Sequence, residues 1–420
     1  MSGQLIAVMA ALIFCYALIA RVMSTVGLTA PMLSIAAGLV FFATSHVDIN
    51  ADFVHTLAEI TLVIILFHDA STVRVNQLRH DPGIAFRLLA IGFPLALFAT
   101  FLVSKAVLPA LGIAGAWLIA AAITPTDAGL GAPTVLNPIV PLRVRRGLNV
   151  ESGLNDGLAT PIVLIALSVL AERENTPIPG LLGVGVKSVA LALGCSVVMA
   201  LVAAWCMDRS RERDLNGLRG RQIATLALPA MIFGFSELIG ANAFIAAFVG
   251  GLVFGAASIA LGDDHATAGL LETSADLLGF VVWFLFGGLL LVVIEVGLRW
   301  QWLLIAVLAL TVLRLVPVAV SMIGTGFHWR TVVFLGWFGP RGLATIVFGL
   351  LALEELGRGS PFIEPVAGVL TVTVMLSVFA HGFTAGPLSR AYGKWAEYNH
   401  APITLEPSVE PVSSRGRTGH

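Results

Sequence analysis

Glu151, Ser152, Asn155 and Asp156, in the stretch ESGLNDG, set two carboxylates, a hydroxyl and a carboxamide at the head of the apolar run LATPIVLIALSVL. On a helix, Glu151 and Asn155 share one stripe at i, i+4, and Ser152 and Asp156 share the next. Ionisable groups in so apolar a setting are costly, which makes each a functional candidate. Asp127, beside Pro125 in TPTDAG, and Arg341, in FGPRGLATIVF, stand in similar surroundings. A lone buried Arg341 calls for a carboxylate in a charge-assisted pair, and Glu151 is the expected partner, with Asn155 completing the hydrogen bonding. Asp156 then belongs to the second stripe. Burial favours the neutral form of a carboxylate, so a buried acid that water can reach is able to exchange a proton for a small metal cation. The plainer alternative makes Glu151 and Asp156 helix-start residues in the headgroup region, favoured there by the helix dipole.

The elements that must hold these groups are transmembrane helices. Hydrophobic residues make up 57% of the chain and charged residues only 12%, with a mean hydropathy of +0.93. Apolar runs of bilayer length recur along nearly the whole sequence, and lipid leaves a spanning backbone only helices or closed barrels. About thirteen spans are expected, beginning near residues 4, 25, 52, 84, 111, 148, 181, 221, 242, 271, 300, 329 and 361. No cleavable signal peptide is expected, so the first run is read as a true span. Arginines cluster after odd-numbered spans, among them Arg74, Arg79 and Arg87, then Arg143, Arg145 and Arg146, then Arg209 to Arg221, with Arg415 and Arg417 in the tail. The other side carries only Lys105, Arg173, Lys187, Arg299 and Arg358. This asymmetry predicts the N-terminus outside and the C-terminus in the cytoplasm. The acidic loop GDDHATA, residues 262–268, is the exception. The polar, Pro/Ser-rich segment 393–420 reads as a short disordered cytoplasmic tail with no regulatory domain. A net charge of -1 without a basic block excludes a nucleic-acid partner. Cys15, Cys195 and Cys206 read as packing residues, and the histidines, mostly in loops, form no metal-ligand pair.

Two spans are interrupted. Pro125 breaks the fifth, where Asp127 can cap the half-helix that follows, and Gly339 to Gly342 break the twelfth. Each interrupted span is the middle helix of a trio, the fourth to sixth and the eleventh to thirteenth, and the trios are inverted relative to each other. Paired interruptions of this kind point to a transporter site at the bilayer midplane. Outside the trios, Asp69 in LFHDAS, with His68, can serve a cytoplasmic ion entrance or anchor an interface; Glu237, Asp276 and Glu295 read as structural or interfacial.

TPTD, PLRVRRGLNVESGLNDG and FGPRGLATIVF, in that order and spacing, resemble the NhaP-type sodium/proton antiporters of the monovalent cation:proton antiporter-1 (CPA1) family, over about residues 4 to 392. The resemblance implies an all-α polytopic homodimer of thirteen helices with two inverted repeats and two unwound crossing helices. It implies spans 1 to 3 (with span 4, residues 4–110) and 7 to 10 (181–298) as dimerisation scaffold and linker. Span 4, spans 5 and 6 (111–172) and spans 11 to 13 (299–392) then form the ion-translocating core. By that similarity Asp156 is the shared cation and proton site, Ser152, Thr126 and Asp127 contribute ligands, and Glu151 pairs with Arg341 supported by Asn155. The neighbour of Asp156 is Asn155, where electrogenic relatives carry a second aspartate, which implies electroneutral exchange of one Na+, Li+ or K+ for one proton. No cofactor is implied beyond the transported ions. The expectation is a multi-pass protein of the cell membrane and not an enzyme. A cation channel with an acidic filter, and an intramembrane aspartyl protease using Asp127 and Asp156, remain as alternatives.

Overall fold

The computed structural model describes residues 3–45, 51–73, 83–171, 178–357 and 359–399. Arg74, Arg79, Arg173, Arg358, Arg415 and Arg417, and all but the first residues of the expected tail, lie outside them. Helices follow one another as α1 Gly3–Val26, α2 Ala30–Thr44, α3 Ala51–Ser71, α4 Gly83–Val107, α5a Gly112–Ile123 and α5b Ala128–Val135. Next come α6 Leu142–Ala171, α7 Ile178–Glu212, α8 Leu218–Leu238, α9 Ala243–Ala257 and α10 Gly269–Val296. The last are α11a Trp300–Leu310, α11b Val312–Ser321, α12a Trp329–Trp337, α12b Leu343–Leu356 and α13 Ile363–Tyr398. With the halves joined, the described residues hold thirteen long helices, in the order expected of the thirteen spans. Eight stretches are individually long and apolar enough to cross a membrane, and α2 and α9 are shorter apolar helices.

Two boundaries depart from expectation. Helix α1 runs to Val26 and turns at Gly27, whose φ of 79° suits glycine, so the second pass starts at Ala30 and not near residue 25. Helix α6 starts at Leu142 instead of near 148, because LRVRRG is polar but fully compatible with a helix. Glu151 and Asp156 therefore sit about 14 and 21 Å along the helix from its start, at the standard rise of about 1.5 Å per residue. With 0% and 3% of their surface exposed, they are not headgroup residues.

The trios α4–α6 and α11–α13 pack by the same plan. In each, the first helix contacts the third, and the broken middle helix lies against both. Between trios, α5 touches α13 and α12b touches α6, contacts that exchange under a two-fold operation, while α4 meets α11 and α5a meets α12b. Passing through the layer an odd number of times between their starts, the trios run inverted. The first helix of each is also perturbed, near its start by a π-helical turn over Leu88–Gly92 in α4 and midway by the break at Thr311 in α11. Arg87 ties the two together, donating to the carbonyls of Ser321 at 3.1 Å and Ile323 at 2.9 Å. The main core joins α3, α5a, α6, α12b and α13, and the fully buried Ala120, Ala121 and Ala122 let backbones approach closely.

Outside the trios, α2 crosses α10 and α3 crosses α9 in close contact. The acidic loop has a partner: Asp264 accepts from Arg221 at 3.1 Å, and Gln222 donates to the Ala266 carbonyl at 2.8 Å. Its charge thus offsets an arginine on its own side of the bilayer. Cys15 and Cys206 are exposed on the apolar helix surface and do not pack the interior; Cys195 is half-buried. Glu237 and Glu295 are exposed and Asp276 is half-buried.

Candidate functional site

The interruption TPTD ends α5a at Ile123 and starts α5b at Ala128; GPRG separates α12a from α12b. The breaks cross each other. The Asp127 amide donates to the Pro340 carbonyl at 2.8 Å. One Asp127 carboxylate oxygen accepts from the amide of Leu130 at 2.9 Å, and the other from the amide of Leu343 at 2.7 Å. A single carboxylate therefore caps the N-terminal ends of both continuing half-helices, where each end carries about half a positive charge. Gly342 makes this approach feasible, since a Cβ there would overlap the Asp127 carboxylate. Gly342→Ala is expected to cost about 1–3 kcal/mol through overpacking and displacement of the cap. Thermal unfolding of the purified protein in detergent checks this, and an unchanged midpoint would refute the shared-cap geometry.

The carbonyl ends of the breaks are also satisfied. Thr345 donates to the Ala122 carbonyl at 2.7 Å, and Arg341 to the Gly339 carbonyl at 2.9 Å. The guanidinium reaches the Ala309 carbonyl at 3.4 Å. Arg341, 1% exposed, thus brings its positive charge to the negative, C-terminal side of the crossing.

The ion pair is not the one expected. Glu151 is gripped through both carboxylate oxygens by the guanidinium of Arg314 in α11b, with the second contact at 2.7 Å, and this residue replaces Arg341 as its partner. Arg341 remains within electrostatic reach of Glu151, Asp156 and Arg314, but its two terminal nitrogens donate to carbonyls. Both arginines are lone cations in apolar stretches, Arg314 in α11b and Arg341 in the break before α12b, and only the tertiary placement of these segments decides between them. Gly339 contributes, because a Cβ there would crowd the Arg314 guanidinium and the Thr126 methyl. Asn155 likewise serves another partner, donating to the Thr126 hydroxyl at 2.7 Å. Thr126 and Ser152 hydroxyls lie 2.8 Å apart. Ser152, Asn155 and Thr126 thus form one hydroxyl–amide cluster joining α6 to the first break, with Ser152 one helical turn before Asp156 and Asn155 directly before it. The side-chain oxygen of Asn155 and the hydroxyl of Thr124 are buried without a hydrogen-bond partner. Orphaned buried acceptors cost about 1–3 kcal/mol each unless something satisfies them.

Asp69 does not fit an interfacial anchor. It is buried with His68, the His68 Nδ1 to Asp69 Oδ1 distance is 3.0 Å, and its backbone abuts Gly153 of α6. Among the described residues no cluster of His, Cys, Asp and Glu forms a multidentate metal centre. Sequence reasoning missed Arg314, although TVLRLVP holds a lone arginine in an apolar run. It also missed His381, a buried helical histidine where loop positions were expected.

Residues 9–391 match the family described as "Sodium/hydrogen exchanger, transmembrane". A Na(+)/H(+) antiporter of Schizosaccharomyces pombe is 24% identical over 71% of this chain and 67% of its own length. Na(+)/H(+) antiporter 2 of Zygosaccharomyces rouxii is 25% identical over 69% of this chain but only 39% of its own length. Among solved structures, the sodium proton antiporter MjNhaP1 of Methanocaldococcus jannaschii at pH 8 superposes with a TM-score of 0.73. That alignment covers 92% of this chain and 98% of the other at 20% identity. With its crossed half-helices, inverted trios and family match over nearly all of its length, the chain is a multi-pass membrane protein that belongs to the sodium/hydrogen exchanger family and has the NhaP-type antiporter fold.

Proposed function

We propose that this protein is a secondary antiporter exchanging a monovalent cation, Na+ first and Li+ or K+ as alternatives, for a proton, one for one. Asp156 is the site that the two ions share. The observation carrying this reading is a buried carboxylate, Asp156, on the helix whose Ser152 and Asn155 gather neutral oxygens at the crossing of two broken helices. Glu151 is answered by Arg314, Asp127 by the two half-helix N-termini, and the carbonyl ends of the breaks by Arg341. Asp156, 3% exposed and one turn beyond Ser152 on α6, brings a further carboxylate to the crossing, where a proton and a cation can alternate. Ser152, Thr126 and the orphaned oxygen of Asn155 supply neutral oxygens, the donor type that hard cations prefer. Asp127 contributes negative charge while its oxygens hold the crossing. Asp69, packed against α6, marks the entrance from the cytoplasm.

Because proton and cation compete for one carboxylate, neither leaves an occupied site without the other arriving, which couples the two fluxes. The trios form the moving core, residues 111–172 and 299–392 with α4, against a scaffold of α1–α3 and α7–α10 that holds a homodimer together. The protein resides in the cell membrane, N-terminus outside and C-terminus in the cytoplasm. Relatives bearing antiporter names and a family of exchangers support a transporter, not an enzyme. An aspartyl protease needs two carboxylates sharing a proton, and both Asp127 oxygens accept amide hydrogens instead.

Purified protein in proteoliposomes should collapse an imposed pH gradient when Na+ is added, at a rate independent of membrane potential. Asn155→Asp, which adds a second carboxylate, should make that rate follow the potential. A wild-type rate that already follows the potential would reject one-for-one exchange, and no cation-dependent proton flux with any of Na+, Li+ or K+ would reject antiport.

A further inference from the structure

The geometry assigns His381 as a positioning residue that clamps the second helix break through both of its ends. The inverted repeat places corresponding residues at the two breaks. In the first trio, Ser152 of α6 holds the α5 break through Thr126, and Asp156 follows it by one turn. In the second trio, Ser377 of α13 holds the α12 break, accepting from the Arg341 amide at 2.6 Å, and His381 follows it by one turn. A serine with an ionisable residue at i+4 thus faces each break from the third helix of its trio.

His381 is 2% exposed, and its two ring nitrogens reach opposite ends of the interruption. Nε2 lies 2.9 Å from the carbonyl of Trp337, the last residue of α12a. Each ring nitrogen faces a carbonyl at 2.9 Å and a carbonyl only accepts, so a neutral ring serves one of the two; the clamp uses the tautomer with its proton on Nε2, in which Nδ1 still has a donor beside it. Nδ1 lies 2.9 Å from the Ser377 carbonyl and 3.2 Å from its hydroxyl, and of these only the hydroxyl can donate to it. The chain of donation runs from the Arg341 amide to Ser377, from Ser377 to His381, and from His381 to Trp337. It closes a loop around Phe338 to Arg341. The Trp337 indole donates to Thr384 of α13 at 3.0 Å, fastening the same end again.

What the clamp fixes matters to exchange, and to that extent the inference rests on the antiport reading. Gly339 packs on Arg314 and Thr126, Arg341 donates to the Gly339 carbonyl, and Pro340 receives the Asp127 amide. Movement of this loop would shift the partner of Glu151, the hydroxyl shared by Ser152 and Asn155, and the cap at the crossing together. His381 touches none of the ions itself; it acts by holding the loop.

Hydrogen–deuterium exchange of the purified full-length protein tests the clamp without reference to transport. His381→Leu should raise amide exchange over residues 338–342 at least about fivefold, the equivalent of one net hydrogen bond. His381→Gln, whose amide can still donate to the Trp337 carbonyl, should restore most of the protection. Unchanged exchange in His381→Leu, or a Gln variant as open as the Leu variant, would overturn the clamp. In proteoliposomes the apparent KM for Na+ should rise by a similar factor in His381→Leu and recover in His381→Gln. An opened loop with an unchanged KM would overturn the positioning role, whereas a wild-type protein that exchanges no cation would overturn the antiport reading and leave the clamp to the amide data.

Discussion

Arg314→Leu should destabilise the protein by about 3–5 kcal/mol, the typical cost of removing one member of a buried ion pair and leaving the other charge uncompensated. Glu151 is completely buried and its carboxylate is held bidentately by Arg314, so no water shell replaces the guanidinium. Adding Glu151→Leu to Arg314→Leu should recover most of that loss, because two apolar side chains no longer carry an unmatched charge. The recovery is what separates Arg314 from Arg341. Arg341→Leu leaves the Glu151 pair intact, and Glu151→Leu added to it should give no recovery. Thermal unfolding of the four variants in detergent measures the coupling. A double Arg314/Glu151 variant as unstable as the single one, or a rescue that appears with Arg341 instead, would return the pair to the partner expected from sequence.

That expectation marks how far the sequence can be read. The two stripes of ESGLNDG follow from helix periodicity alone, and the breaks at TPTD and GPRG follow from proline and glycine in otherwise apolar spans. The thirteen passes and the inverted trios follow from hydropathy and the position of those breaks. Register between helices does not. Arg314 and Arg341 are both solitary cations in apolar runs, and which of them meets Glu151 depends on where the fold places each side chain relative to α6. Asn155 was expected beside the ion pair; its amide turns instead toward Thr126, a contact between residues of different helices that no local spacing encodes. Hydropathy places the start of α6 too late, because the apolar signal stops at LRVRRG although the helix does not. Buried Arg145 shows why the helix tolerates it there, since its Nε donates to the Val140 carbonyl at 2.9 Å. His381 lies in the long last helix, in a run whose small and apolar neighbours gave no sign of two carbonyls converging on its ring.

Asp156 is the carboxylate on which exchange turns. If one carboxylate serves proton and cation in turn, binding is a displacement, and the deprotonated form is the one that takes the cation. Stabilisation of the folded protein by Na+ should then grow as pH rises and fade as protons compete at low pH. At about a hundred times the dissociation constant it should reach about 2.7 kcal/mol. Asp156→Asn keeps the shape of the side chain and removes both the exchangeable proton and the negative charge, so it should fold normally and exchange nothing. The most direct measurement is proton release into weakly buffered solution when Na+ is added to the purified protein. Wild type should release close to one proton per bound Na+, and Asp156→Asn none; proton release that persists in folded Asp156→Asn would contradict the assignment of the shared site.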